Sequence, residues 1–164
     1  MFEEEGIKLG NSYKGADTTK KVPVFFNPLM KLNRDLSLLL IASYFEKPIQ
    51  FCDPLCASGI RELRFLDALD EEFESLTCGD ISSSALKNFK KHLKANKLSS
   101  NKIKFHEGQA INTLSQGYFD FIEIDPFGSP VPFLDMAFQR VKHKGIVAVT
   151  ATDTAALCGT YPKT

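Results

Sequence analysis

Phe119-Asp120-Phe121-Ile122-Glu123-Ile124-Asp125-Pro126-Phe127-Gly128-Ser129-Pro130 is the stretch on which the reading of this chain turns. Aromatic and β-branched residues dominate Phe119 to Ile124, which predicts a strand. A carboxylate, a proline, an aromatic and a glycine follow, and strand pairing stops at such a composition. In open α/β sheets ligands bind beyond the carboxyl ends of the strands. Asp125 at such an end can accept an N–H from the amino group of a planar base. Pro126 fixes its own φ, biases Asp125 towards extended backbone and adds no competing N–H donor. Phe127 offers a flat apolar face for stacking, and Gly128 permits a sharp turn. An ordinary Asp-Pro turn closing a buried strand would have the same composition, so the flanking sequence decides between the two.

Downstream, Val131 to Val141 predicts a helix with Phe133, Leu134, Ala137, Phe138 and Val141 apolar, and Gly145 to Thr150 a strand. Upstream, Ile49 to Cys52 reads as a strand, Asp53-Pro54-Leu55-Cys56-Ala57-Ser58-Gly59 as a loop and Ile60 to Leu69 as a helix. Leu76 to Asp80 is a second strand and Ser83 to Asn96 a second helix. In that helix Leu86, Phe89 and Leu93 face inward, and Lys87, Lys90, Lys91, Lys94 and Lys97 line the other side, a stripe that could meet phosphates but more often is a solvated face. Ile103 to His106 is a third strand, followed by Gly108-Gln109-Ala110. Strands alternating with helices imply an α/β fold with a mostly parallel sheet and right-handed crossovers. The Asp53–Gly59 loop has the small residues of a nucleotide-binding turn but not a full G-x-G-x-x-G, which argues against an NAD-linked oxidoreductase. Asp80, at the end of its strand, suits a ribose hydroxyl, and with Ser82 it also suits an N-cap.

The N-terminal part is less regular. Ile7 to Leu9 and Val22 to Val24 read as short strands around a turn at Gly15-Ala16-Asp17. Asn27 is a candidate N-cap with Pro28 at the first helical position. From Leu29 to Phe45, Leu29, Leu32, Leu36, Leu39, Leu40 and Phe45 recur at helical spacing, while Asn33, Arg34 and Asp35 read as a solvated face. The expected division is an extension of short strands and a helix over 1–47 and a cofactor-binding domain over 48–164.

With 43% hydrophobic and 24% charged residues, the 164-residue chain has the composition of a soluble globular domain. No apolar run reaches the ~20 residues of a membrane span, and the acidic Met1-Phe2-Glu3-Glu4-Glu5 start argues against a signal peptide. Four cysteines without secretory features suggest free thiols in a reducing, cytoplasmic setting. Cys52 and Cys56 lack a second close pair, so no metal site is expected. A net charge of zero gives nucleic-acid binding no support from bulk electrostatics.

Four motifs converge on one family. Val24-Phe25-Phe26-Asn27-Pro28 with Asn33-Arg34-Asp35, then Ser58-Gly59-Ile60-Arg61, then Asp125 to Pro130, then Thr150-Ala151-Thr152-Asp153-Thr154-Ala155-Ala156-Leu157-Cys158-Gly159-Thr160-Tyr161-Pro162 resemble the tRNA (guanine-26-N2)-dimethyltransferases of archaeal type. The resemblance runs from about Glu5 onwards. It implies a class I methyltransferase domain, Rossmann-like, that uses S-adenosylmethionine (SAM), with tRNA as partner and no membrane. The Asp53 to Gly59 loop, with Arg61, would hold the methionine part of the cofactor. Asp80 would bind the ribose, Gln109 and Ala110 would lie beside the adenine, and Arg34 and Asp35 would approach the cofactor and active site. Asp125 would be the catalytic carboxylate. Phe25, Phe26, Pro126 and Phe127 would surround the target base, and Thr152 and Asp153 would wall the pocket.

Gln109 stands where the family usually has an aspartate. The family also continues past this length, with further strands and a C-terminal tRNA-gripping domain, so the fold is expected to be truncated at its C-terminal side. Two other readings stay open: a methyltransferase acting on another amino group, and a non-catalytic cofactor- or tRNA-binding half that needs a C-terminal partner.

Overall fold

The protein was analysed as a computed structural model, which describes residues 2–10, 24–155 and 158–159. The strand expected from Phe119 is present as β6 (Phe119–Ile124) and is buried along its whole length. Around it lie β3 (Ile49–Asp53), β4 (Phe73–Asp80), β5 (Ile103–Glu107) and β7 (Val141–Val149). The order in the sheet is β5-β4-β3-β6-β7. Every neighbouring pair is parallel. The connecting helices are α2 (Ile60–Leu69), α3 (Ser83–Ala95), α4 (Ala110–Leu114) and α5 (Val131–Arg140). α5 ends one residue before the expected limit because Val141 is already extended and begins β7.

Side chains alternate across each strand, so the two faces of the sheet build separate cores. On one face Phe51 and Phe121 pack with Leu63, Phe65, Leu86 and Phe89 of α2 and α3. On the other, Cys52, Ile122 and Ile124 meet Leu114 of α4 and Ala137 of α5. Each fully buried side chain of this size contributes roughly 1.5–3 kcal/mol. The four exposed lysines of α3, at 87, 90, 91 and 94, lie opposite its buried Leu86, Phe89 and Leu93, as an amphipathic helix requires, and Lys97 is exposed just beyond its end.

A short hairpin, β1 (Phe2–Glu4) and β2 (Ile7–Leu9), opens the chain, and β1 was not expected. Ile7 and Leu9 belong to the same core cluster as Phe51. The Lys8 N–H donates to Asn96 Oδ1 at 2.7 Å, which fastens the hairpin to the end of α3. The turn expected at Gly15-Ala16-Asp17 and the first two residues of Val22 to Val24 lie outside the described residues, and Val24 is not in a strand.

The N-terminal helix begins with a 3-10 turn (Pro28–Met30) and continues as α1 (Lys31–Tyr44). Asn27 caps it, its side chain accepting from the Leu29 N–H. Its orientation reverses the expectation. Arg34, Ser37 and Ile41 are the buried positions, whereas Leu29, Leu32, Leu36 and Leu39 are 80, 68, 56 and 65% exposed. Asn33, Arg34 and Asp35 are therefore not a solvated face. The physical cause is charge: α1 packs on α2 through ion pairs rather than through its leucines.

Candidate active site

The chain order reverses between β3 and β6, which lie side by side, and ligands of doubly wound sheets bind at such a switch point. Asp53 ends β3, Asp80 ends β4 and Asp125 follows β6. A cleft of about 290 Å³ opens there, near the lower end of the ~300–1,000 Å³ typical of small-molecule sites. All three aspartates line it. Arg34, Arg61, Phe25, Phe26, Pro126, Phe127 and Thr152 do so too.

Backbone hydrogen bonds shape the floor. Asp53 Oδ1 accepts from the Leu55 N–H at 2.8 Å. Asp80 Oδ2 accepts from the Ala57 N–H at 3.0 Å and its Oδ1 from the Ser82 N–H at 2.8 Å. One carboxylate thus ties the Asp53–Gly59 loop to the start of α3. A carboxylate has about four acceptor sites, so Asp80 keeps capacity for hydroxyl donors in the cleft. Gly59 has φ +73°, and a Cβ there would come within 2.2 Å of the Phe89 ring. The residue is required by backbone conformation and by the close approach of α3.

One guanidinium organises the reacting end. Arg61, in the first turn of α2, is buried. Its Nη2 donates to Asp125 Oδ2 at 3.1 Å and to Asn33 Oδ1 at 2.7 Å. Its Nη1 donates to Ser37 Oγ at 3.0 Å and lies 3.3 Å from Glu123 Oε2. Asp125 itself keeps 29% of its side chain exposed. Beyond it Phe127 is 73% exposed, with Phe25 edge-on at a centroid distance of 4.2 Å. Thr152 Oγ1 accepts from the Gly128 N–H at 3.0 Å, which latches the Pro126–Gly128 turn to the segment after β7.

Burial tunes the acids beneath the cleft. It pushes the Asp53 carboxyl well up, and the neighbouring Glu62 carboxyl adds to the effect. Burial likewise raises Glu62, against a hydrogen bond with the Asp53 carboxyl that lowers it. Two buried carboxyls side by side cannot both ionise readily, so the pair retains a proton. Glu123 is pushed up to about 7, by burial first, against the pull of Arg61. Burial also raises the thiols of Cys52, Cys56 and Cys78, so none is a poised thiolate. The four cysteines are free.

Not every candidate residue reaches the cleft. Gln109 is exposed at the N-cap of α4 with Ala110 buried behind it, and neither lines the cavity. The Gly108 N–H donates to the Asp80 carbonyl at 3.1 Å and keeps that turn adjacent. Asp35 turns to Lys31, at 2.9 Å, and to Arg64. Asp153 Oδ1 accepts from the Ala155 N–H at 3.0 Å. Arg34 lines the cleft, but its guanidinium forks onto Glu4 and donates to the Asn27 carbonyl.

Sequence reasoning missed Glu4, Ser37, Glu62, Arg64 and Glu123. A signal existed for Glu123: an acid amid Phe121, Ile122 and Ile124, in a strand apolar on both faces, has to be paired. Glu4 carried no such signal, because its partners Arg34 and Arg64 lie in two other elements.

Five parallel strands in this order, with acids at the ends of β3, β4 and β6 around a cleft at the switch point, form a class I SAM-dependent methyltransferase fold. Structural neighbours agree. Trm1 from Pyrococcus horikoshii, solved in complex with S-adenosyl-L-methionine, superposes with a TM-score of 0.73 at 36% identity, covering 89% of this chain and 43% of that one. Trm5b from Pyrococcus abyssi shares the fold at a TM-score of 0.67 and 18% identity, over 88% of this chain and 38% of the other.

Residues 4–164 match the family described as N2,N2-dimethylguanosine tRNA methyltransferase, and the chain belongs to that family. A tRNA (guanine(26)-N(2)/guanine(27)-N(2))-dimethyltransferase of Aquifex aeolicus is 41% identical over 150 residues, 87% of this chain and 38% of its own length. A tRNA (guanine(26)-N(2))-dimethyltransferase of Methanococcus maripaludis is 42% identical over 154 residues, 89% and 41% respectively. The chain thus spans about two fifths of the length of these relatives. Among the described residues no helix is long and apolar enough to cross a membrane.

Proposed function

We propose that this chain carries the cofactor-binding and catalytic half of a tRNA (guanine-26-N2)-dimethyltransferase. It would transfer methyl groups from SAM to the exocyclic N2 of guanine 26, first one and then a second. The observation that carries this reading is Asp125, partly exposed at the end of β6 and held by Arg61 at 3.1 Å, in one cleft with Asp53, Asp80 and Phe127.

The residues present fit the cofactor. Asp80 has spare acceptor sites for ribose hydroxyls, and the acid-rich floor suits a ligand with cationic groups. Ile81 and Met30 supply apolar lining. When bound, SAM supplies an activated methyl group on a sulfonium, so no metal is called for. The guanine amine is a weak nucleophile because its lone pair is delocalised into the ring. Asp125 would accept an N2–H bond, favour release of the lone pair from the ring and take up the proton as the N–C bond forms and the bond between the methyl carbon and the sulfonium sulfur breaks. Phe25 and Phe127 hold the base, which has left its stack to reach the cleft. Positioning of the two reactants supplies most of the acceleration, ~7–11 kcal/mol in intramolecular analogues.

Titration of SAM into the chain by calorimetry, followed by single-turnover transfer to a tRNA transcript, tests the proposal. Asp125→Ala should lose roughly 10²–10⁴-fold in rate, the usual worth of a positioned base, with cofactor affinity largely kept. Equal rates for variant and parent would overturn it. A second reading is a half that binds cofactor and acts only with the remaining portion present in longer relatives. A net charge of zero, which gives no bulk attraction to nucleic acid, favours it. Binding without transfer, restored by adding the missing portion from a relative, would select that second reading.

A further inference from the structure

The Arg61 guanidinium is gripped symmetrically. Nη2 faces Asn33 at 2.7 Å and Asp125 at 3.1 Å. Nη1 faces Ser37 at 3.0 Å and Glu123 at 3.3 Å. Each nitrogen therefore has one neutral acceptor from α1 and one carboxylate from β6 or its end. The spacing is built into both elements. Asn33 and Ser37 are four residues apart on one helix face, and Glu123 and Asp125 are two apart on one side of a strand. Only the Asp125 end opens into the cleft. Glu123 is fully buried and does not line it.

We propose that Glu123 is the positioning residue of this active site: with Ser37 it anchors one nitrogen of Arg61 so that the other is presented to Asp125, and its charge sets how much of the Arg61 charge Asp125 feels. This rests on the reading of Asp125 as the group that accepts the amine proton. With Glu123 ionised, two carboxylates share the guanidinium and Asp125 remains a competent base. With Glu123 protonated, the guanidinium charge falls on Asp125 alone and draws its oxygens to Arg61 and away from the substrate amine.

The surroundings of Glu123 make the switch accessible. Arg61 and Glu62 face it from α2, Ser37 from α1, Asp53 from β3 and Asp125 from beyond its own strand. Burial, Asp53 and Asp125 favour the protonated form. Arg61 and the Ser37 hydroxyl, which donates to Oε2 at 3.1 Å, oppose them. The balance falls at about 7. Oε1, buried without a hydrogen-bond partner among the described residues, is where that proton can sit. The methyl-transfer rate should therefore rise with pH through about 7.

The test compares the full chain with Glu123→Gln and Ser37→Ala. In wild type, single-turnover transfer to tRNA rises through neutral pH. Glu123→Gln is expected to be flat across that range, held at the slow low-pH rate of the parent, on the order of tenfold below it at pH 8. Its SAM affinity by calorimetry should stay within about twofold, since Glu123 does not touch the cleft. Ser37→Ala should be slower but keep the pH step. Two readouts need no activity: carbon-13 NMR should show one glutamate carboxyl titrating near neutrality in wild type and not in Glu123→Gln, and the Arg61 guanidinium protons should exchange slowly only with the clamp intact. A Glu123→Gln chain with the parent's rate and pH step, or with neither NMR signal changed, overturns the proposal. So does loss of SAM binding in that variant, which would mark a merely structural role. Wild type that transfers no methyl at any pH, alone or with the remaining portion of a longer relative added, with both NMR signals as expected, would instead sink the dimethyltransferase reading and leave the clamp standing.

Discussion

α1 and α3 are helices of similar length on the same side of the sheet, and they obey opposite rules. α3 buries Leu86, Phe89 and Leu93 and turns its lysines to solvent. α1 buries Arg34, Ser37 and Ile41 and turns leucines outward. The difference is in what each helix meets. α3 packs on the apolar sides of β4 and β5. α1 packs on α2, where Arg61 and Arg64 need acceptors in a place without water. A polar face is buried when its partners complete each other's hydrogen bonds, because unpaired buried charge costs far more than exposed leucine. Hydrophobic periodicity identifies a helix. It does not identify which face is covered.

Substitutions can break this contrast. The largest effect is expected on the α3 side: Phe89→Ala removes a fully buried ring and should cost about 4 kcal/mol in urea unfolding. Because that ring also abuts Gly59, SAM affinity should fall with it. On the α1 side, Glu4→Ala leaves Arg34 and Arg64 without their shared carboxylate and should cost about 3 kcal/mol, although it deletes no apolar contact. A cost below about 1 kcal/mol would show that the ion cluster does not hold α1 in place.

The next effect is a dependence on pH. The folded Glu123 carboxyl keeps its proton up to about 7, against an ordinary value of 4.5. Its contribution to stability is therefore fully present below about 4.5 and is lost as pH rises through about 7, at most on the order of 3 kcal/mol. Asp53 and Glu62 are raised too and act with the same sign. Unfolding free energies measured from pH 4.5 to 8 should fall with pH, and less steeply in Glu123→Gln.

The smallest effect sharpens the contrast most. Leu32→Gln and Leu36→Gln on α1 should change the stability of this chain by no more than about 0.5 kcal/mol, as exposed positions do. Leu93→Gln on α3, the same chemical change at a position 3% exposed, should cost about 3 kcal/mol.

Much of the fold was legible because its signals are local. The β-rich run ending in Asp125-Pro126, the acid closing β4 and the inward stripe of α3 each depend on neighbours within a few residues. Asp80, Asp125 and Phe127 could be named from such segments, Asp53 from the loop after β3 and Phe25 from the family resemblance, and all five line a single cleft. What lay hidden was pairing across elements. In the sequence Glu4 is one of three consecutive acids; in the fold it is paired with two arginines, one from α1 and one from α2. Arg61, first read as a ligand for the cofactor, is also the hub that joins Asp125 to Glu123.

Legible along the chain, though not β1 or the short α4, were the five strands of the sheet, helices α1, α2, α3 and α5 and the acids at the strand ends. These follow from periodicity, turn chemistry and motifs contiguous along the chain. That α1 sits polar side down, that Gln109 stays outside the cleft and that one guanidinium is divided between two carboxylates emerged from the folded arrangement. Those outcomes depend on distances between residues 30 to 86 positions apart. Electrostatic pairing in a buried space is set by such distances, and no local pattern in the chain encodes them.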